Sequence, residues 1–203
     1  MANDPKSFAI ALYQLDGVAA ILSAFVDFDI MLDKEVVEAA LKILCLTTLY
    51  ESRSRHMLIT GFRPLLSAAI VHQTSFEITE YMTFILVNIA RTEYNLVDMV
   101  ALDEDYIDFV VVSGMSRFPT NRMIQELGCA YFVSLAFNTP DKAAILEPFF
   151  HLGEVSLVLR PAVENFQSQD GPCKYFSNAE FLRRLLDRAD GFNSLKTNET
   201  VWQ

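Results

Sequence analysis

Glycine and proline are scarce here, at seven of each in 203 residues. An all-β domain with many tight turns uses more of both, so the shortage favours long helices. Cysteine is scarcer still. The three present (Cys45, Cys129 and Cys173) are odd in number, far apart and form no CxxC pair, which argues against a disulfide framework and for a reducing compartment. Cys45 and Cys129 lie inside apolar runs, where a small buried hydrophobe is the ordinary role. Positive charge is also short: 16 Lys and Arg stand against 26 Asp and Glu, a net charge of −10. That balance offers a phosphate backbone no summed attraction, so nucleic acid is not an expected partner. The imbalance is concentrated in residues 1–110, with 16 acidic and 7 basic side chains, against 10 and 9 in residues 111–203. An acidic N-terminal half suits either a basic partner or simple solubility.

Long apolar runs are missing as well. The uncharged stretch between Asp16 and Asp27 is ten residues, about half of what a membrane span needs. Residues 127–140 are likewise too short, and the opening MANDPKSFAIALYQLDG carries acids where a signal peptide carries bases. No membrane association is expected. The setting reads as intracellular: cytoplasmic, with the nucleus also open. No GxSxG, P-loop, GxGxxG or HExxH motif occurs, and His56, His72 and His151 are isolated. The acidic run Asp103 to Asp108 fails as a calcium loop, because its sixth position is Asp108 and its twelfth is Gly114. It reads as a solvated helix start, where carboxylates complement the dipole. No catalytic residue, metal site or cofactor is expected.

What is present is a repeat. Glu38-AALKILCLT-Thr48, Glu80-YMTFILVNI-Ala90 and Glu126-LGCAYFVSL-Ala136 each open on a carboxylate and close on a small residue, with starts 42 and 46 residues apart. Self-similarity at that period is the signature of a helical solenoid, whose units bury their apolar faces only by stacking. Counting the carboxylate as zero, offsets 2, 3, 6, 9 and 10 fall in one helical arc between about 180° and 300°. They read Ala40, Leu41, Leu44, Thr47, Thr48; then Met82, Thr83, Leu86, Ile89, Ala90; then Gly128, Cys129, Phe132, Leu135, Ala136. Offsets 0, 1, 4 and 8 share the opposite arc, facing outward or into a groove. Phe84, Tyr81 and Tyr131 are the better candidates for exposure near it, with packing against the adjacent repeat the commoner role for such aromatics and contact with a partner the alternative.

Further helices follow each copy, at Pro64 to Ile70, Tyr106 to Met115 and Val155 to Phe166. One domain is expected over residues 4–191: a half-repeat at 4–26, repeats at about 27–73, 74–117 and 118–166, and a capping helix at 176–190. The cap rests on a capping box from Ser177 to Glu180 and a stripe of Phe181, Leu182, Leu185 and Leu186, with Arg183, Arg184 and Arg188 toward water. Residues 192–203 read as a disordered tail. The opening half-repeat is either a cap or the cut edge of a longer array, and as an edge it would expose Phe8, Leu12 and Leu15.

The run MIQELGCAYFVSLAFN (residues 123–138) resembles the third helix of armadillo repeats, and DPKSFAIALYQLDGVAAIL (residues 4–22) resembles the link and helix that follow it in that family. The likeness extends over most of residues 4–166. It implies an all-α fold, a right-handed superhelix of three-helix repeats with third helices lining a concave face. It also implies scaffolding or peptide binding without catalysis. One branch of the family grips extended peptides through asparagines and aromatics at offsets 4 and 8. Those offsets here hold Lys42 and Leu46, Phe84 and Asn88, and Ala130 and Ser134, of which only Phe84 and Asn88 match. The expected contact residues are therefore Tyr81, Phe84, Asn88 and Ser134. The expected partner is another protein or peptide, basic if the acidic half takes part. The alternative is a structural subunit or terminal part of a larger helical-repeat assembly, and the oligomeric state is left open.

Overall fold

The computed structural model describes residues 4–50, 62–91, 109–138 and 158–162. Among these residues the secondary structure is entirely helical, with no strand. In chain order come α1 (Pro5–Gln14), α2 (Gly17–Ala24), α3 (Phe28–Leu32), α4 (Lys34–Tyr50), α5 (Phe62–Val71) and α6 (Phe76–Ala90). Then follow α7, described over residues 109–117, and α8 (Arg122–Asn138). Residues 158–162 are also helical. The acidic run 103–108, His56, His151, Cys173, the expected cap at 176–190 and the tail at 192–203 lie outside the described residues.

The three repeated stretches are α4, α6 and α8, but their carboxylates do not open them. Each helix starts four residues earlier, at Lys34, Phe76 and Arg122, because another residue caps it. The Asp33 carboxylate accepts from the Glu35 and Val36 amides at 3.0 and 3.2 Å. The Asn121 side chain accepts from the Ile124 amide at 3.2 Å. At the same place in the second copy stands Ser75, whose carbonyl accepts the first helical bond from Thr79 and whose hydroxyl donates to Glu77 at 2.7 Å. In the first and third copies the short polar side chain satisfies amides that a helix start leaves without intrahelical partners; Ser75 begins its helix without such a bond. Asp33, Ser75 and Asn121 recur at the spacing of the carboxylates, 42 and 46 residues.

Burial follows the helical wheel. Every inward position whose side chain is described is buried, except Ala40, which is half-buried. The closest helix pairs run in order, α1 on α4, α4 on α6 and α6 on α8. As the middle member, α6 has ten of its fifteen residues buried. Small side chains permit this approach: a Cβ at Gly128 of α8 would collide with the Met115 sulfur of α7, and one at Gly114 would meet the Thr79 methyl at 2.6 Å.

Polar links tie the layers. The Cys45 thiol donates to the Tyr81 carbonyl at 3.3 Å, joining α4 to α6. A ring nitrogen of His72, just past α5, pairs with the Met31 carbonyl of α3 at 3.0 Å. Gln73 accepts from Ser113 at 3.3 Å and from Arg117 at 3.0 Å, bridging to α7. Gln125, only 3% exposed, donates from Nε2 to the carbonyls of Met115 at 2.8 Å and Phe118 at 3.1 Å. The Met115 carbonyl lies in the last turn of α7, where helical acceptors run out of partners, and the Phe118 carbonyl just past it also accepts from the Asn121 amide at 3.1 Å. Cys45 and Cys129 are buried free thiols, in keeping with their apolar surroundings.

At the N-terminal edge, Asp4 caps α1 by accepting from the Lys6 and Ser7 amides. Between α1 and α2 the chain turns through Asp16, whose φ of 53° is left-handed. Asp tolerates that region better than most residues. Phe8 and Leu15 are exposed, whereas Leu12 packs against the core.

Candidate functional site

The outward offsets of α4, α6 and α8 are less exposed than the wheel implies. Tyr81 and Phe84 are half-buried and rest against the core. Asn88 is 3% exposed. Its Nδ2 donates to the Thr48 hydroxyl at 3.4 Å, and its Oδ1 accepts from Arg91 at 3.5 Å. The expectation of an outward-facing Asn88 is thus corrected: its amide ties α6 to α4. The cause is α6's position between two helices, which leaves only a thin open arc at 100° per residue. Ser134 is half-buried, and its hydroxyl donates to the Ala130 carbonyl of its own helix at 2.8 Å. Leu127 and Ala130, both at outward offsets, are buried. Tyr131 is also buried, at 2% exposure, with its ring edge-on to Phe132 at 5.3 Å between centroids and an interplanar angle of 72°. Of its two readings packing holds, because it joins the apolar cluster that also holds Phe132.

The carboxylates at offset zero, Glu38, Glu80 and Glu126, are each half-buried at the same place on successive helices. Glu126 pairs with Arg122 at 2.6 Å. Burial, with the negative charge of Glu77 second, holds the Glu80 carboxyl above the usual glutamate range. Glu77 is held below it by the Ser75 hydroxyl, then by a backbone amide, with Lys34 a weaker contributor at 4.0 Å. Burial also raises the Tyr81 hydroxyl, followed by the charge of Glu38 across the α4–α6 boundary. Reading the repeat copy by copy could not find this cross-helix proximity of Glu38 and Tyr81, since it depends on the stacking register.

Glu80 supplies a pH test. A carboxyl whose folded pKa is raised destabilises the fold in its charged form, so stability falls as pH rises through the ordinary glutamate value of about 4.3 and on through the raised folded one. Glu80→Gln is expected to raise the melting temperature at pH 7 and to give no gain below about pH 4. Calorimetry at both pH values checks this. A lower melting temperature at pH 7 would show that the charge is compensated.

No arrangement for catalysis assembles among the described residues. Burial pushes the Cys45 thiol far up and the Cys129 thiol to about 12, so neither offers a thiolate at neutral pH. A cleft lined by Ala69, Ile70, Gln73, Ser113 and Gly114 has room for about one water molecule. Among the described residues, no group of three or more His, Cys, Asp and Glu side chains is gathered for a metal. No single described helix is long and apolar enough to cross a membrane; α1 and α2 reach that length only as a pair bent by 75°. In comparisons with family models, curated proteins and solved structures, nothing matched this chain.

Proposed function

We propose that this chain is a non-catalytic protein-interaction module, an armadillo-like right-handed solenoid that holds a partner segment on its concave face in an intracellular setting. The observation that carries the reading is the packing order. Three helices of similar sequence contact one another in chain order, α4 on α6 and α6 on α8, which is the arrangement that stacked units need. Rigid helices present their surface before the partner arrives, so ordering costs fall mainly on the partner. Tyr81 and Phe84 are the side chains best placed to contact it. Each is half-buried, leaving part of an aromatic ring available. Ser134 lies at the margin of the surface, and Asn88 acts by holding α6 against α4.

The test uses Tyr81→Ala combined with Phe84→Ala and leaves Asn88 alone, because its loss would disturb packing as well as binding. Affinity capture with quantitative mass spectrometry should yield a partner that the double variant retains at least about tenfold less well, since buried aromatic anchors commonly contribute more than 1 kcal/mol each. Capture of the same proteins in the same amounts by both forms would sink the reading. A second reading, a structural subunit of a larger helical-repeat assembly, is favoured by the exposed Phe8 and Leu15 of the N-terminal edge. Light scattering separates the two, with self-association supporting the subunit.

A further inference from the structure

The exposed side of α1 carries an ordered stripe. Asp4, Phe8, Ala11 and Leu15 are spaced i, i+4, i+7 and i+11, which places them within about 60° of one another on a helix. All four are exposed, with Phe8 at 43% and Leu15 at 80%. To one side of the stripe the helix is committed to the fold: Ala9 is buried and Leu12 packs against the core. The stripe is therefore an apolar ridge, with one carboxylate at its head and a second, the exposed Asp16, immediately beyond its foot. Nearby in the chain, residues 4–36 hold six acids (Asp4, Asp16, Asp27, Asp29, Asp33, Glu35) and two bases (Lys6, Lys34), all exposed.

We infer that this stripe docks a basic amphipathic helix from a partner protein. The apolar spacing selects a helix, which meets another helix through residues three and four apart. Charge selects the partner's sign. A second copy of this chain would bring the same acidic residues and a net charge of −10 onto an already negative edge. A cationic helix meets complementary charge there, which speeds encounter and fixes register. The inference does not rest on the groove reading, since no residue of α6 or α8 takes part.

The probes are two synthetic helical peptides with identical leucines at i, i+3, i+4 and i+7. One carries lysines on its flanks and the other carries glutamates. Fluorescence polarisation with the full chain should show the lysine peptide binding at least tenfold more tightly, with affinity falling as salt rises. Phe8→Ser combined with Leu15→Ser should cut that affinity at least tenfold while far-UV circular dichroism is unchanged, because both side chains are exposed. Asp4→Asn keeps a capping side chain but removes the charge, and should weaken binding about threefold. Tyr81→Ala with Phe84→Ala should leave it unaltered. Three results would overturn the inference: equal binding of the two peptides, binding indifferent to Phe8 and Leu15, or a dimer abolished by Leu15→Ser.

Discussion

Leu86→Ala will destabilise the chain by about 2–5 kcal/mol, the range for a fully buried leucine whose site cannot collapse. Leu86 has no exposed surface, and it lies on α6, the helix packed between α4 and α8. With roughly 2–4 °C of melting temperature per kcal/mol for a chain of this size, a loss of about 3 kcal/mol lowers the midpoint by about 6–12 °C. Leu32→Ala is the matched control: its side chain is half exposed, so its change should stay near 0.5 kcal/mol. Denaturant titration of both variants checks the pair. Equal losses would mean that α6 does not occupy the middle of the core.

Gln125→Glu should cost about 2–4 kcal/mol at neutral pH although it alters little in shape. The amide nitrogen of Gln125 donates to two carbonyls at once. A carboxylate would turn an oxygen toward those same acceptors in a buried site, where repulsion is poorly screened. The sign of the pH dependence follows. Burial and the facing carbonyl oxygens both raise the introduced carboxyl's folded pKa, so the damage is greatest at neutral pH. It should shrink as pH falls toward the ordinary glutamate value of about 4.3. Chemical denaturation at pH 7 and pH 5 reads this directly, and a loss independent of pH would exclude a charged residue at this point. Gln125→Leu removes the donor without adding charge, at about 1–3 kcal/mol, chiefly from the Met115 carbonyl, since the Phe118 carbonyl keeps the Asn121 amide.

Helical character and the buried arc were legible because they depend only on spacing within one helix. Leu41, Leu44, Met82, Leu86 and Phe132 are buried as their offsets require. The helix starts were misplaced by four residues. The residues that precede the helices stand five positions before the carboxylates, where Asp33, Ser75 and Asn121 repeat at the same interval. Asn88 failed for another reason. A wheel treats each helix as having one covered side, whereas α6 is covered on two, and residues at the margin of its apolar arc become interior. Gln125 was invisible to periodicity, because its role depends on the end of α7 lying against α8. Its counterparts Val37 and Thr79 are buried too, but neither caps a neighbouring helix.

The ordered contacts of α1, α4, α6 and α8 have a consequence for damage. The buried side chains of α4, α6 and α8 belong to one apolar cluster, so a lesion on any of these helices is felt by the others. The polar ties Cys45–Tyr81 and Asn88–Thr48 both cross the boundary between α4 and α6, and damage there would loosen both at once.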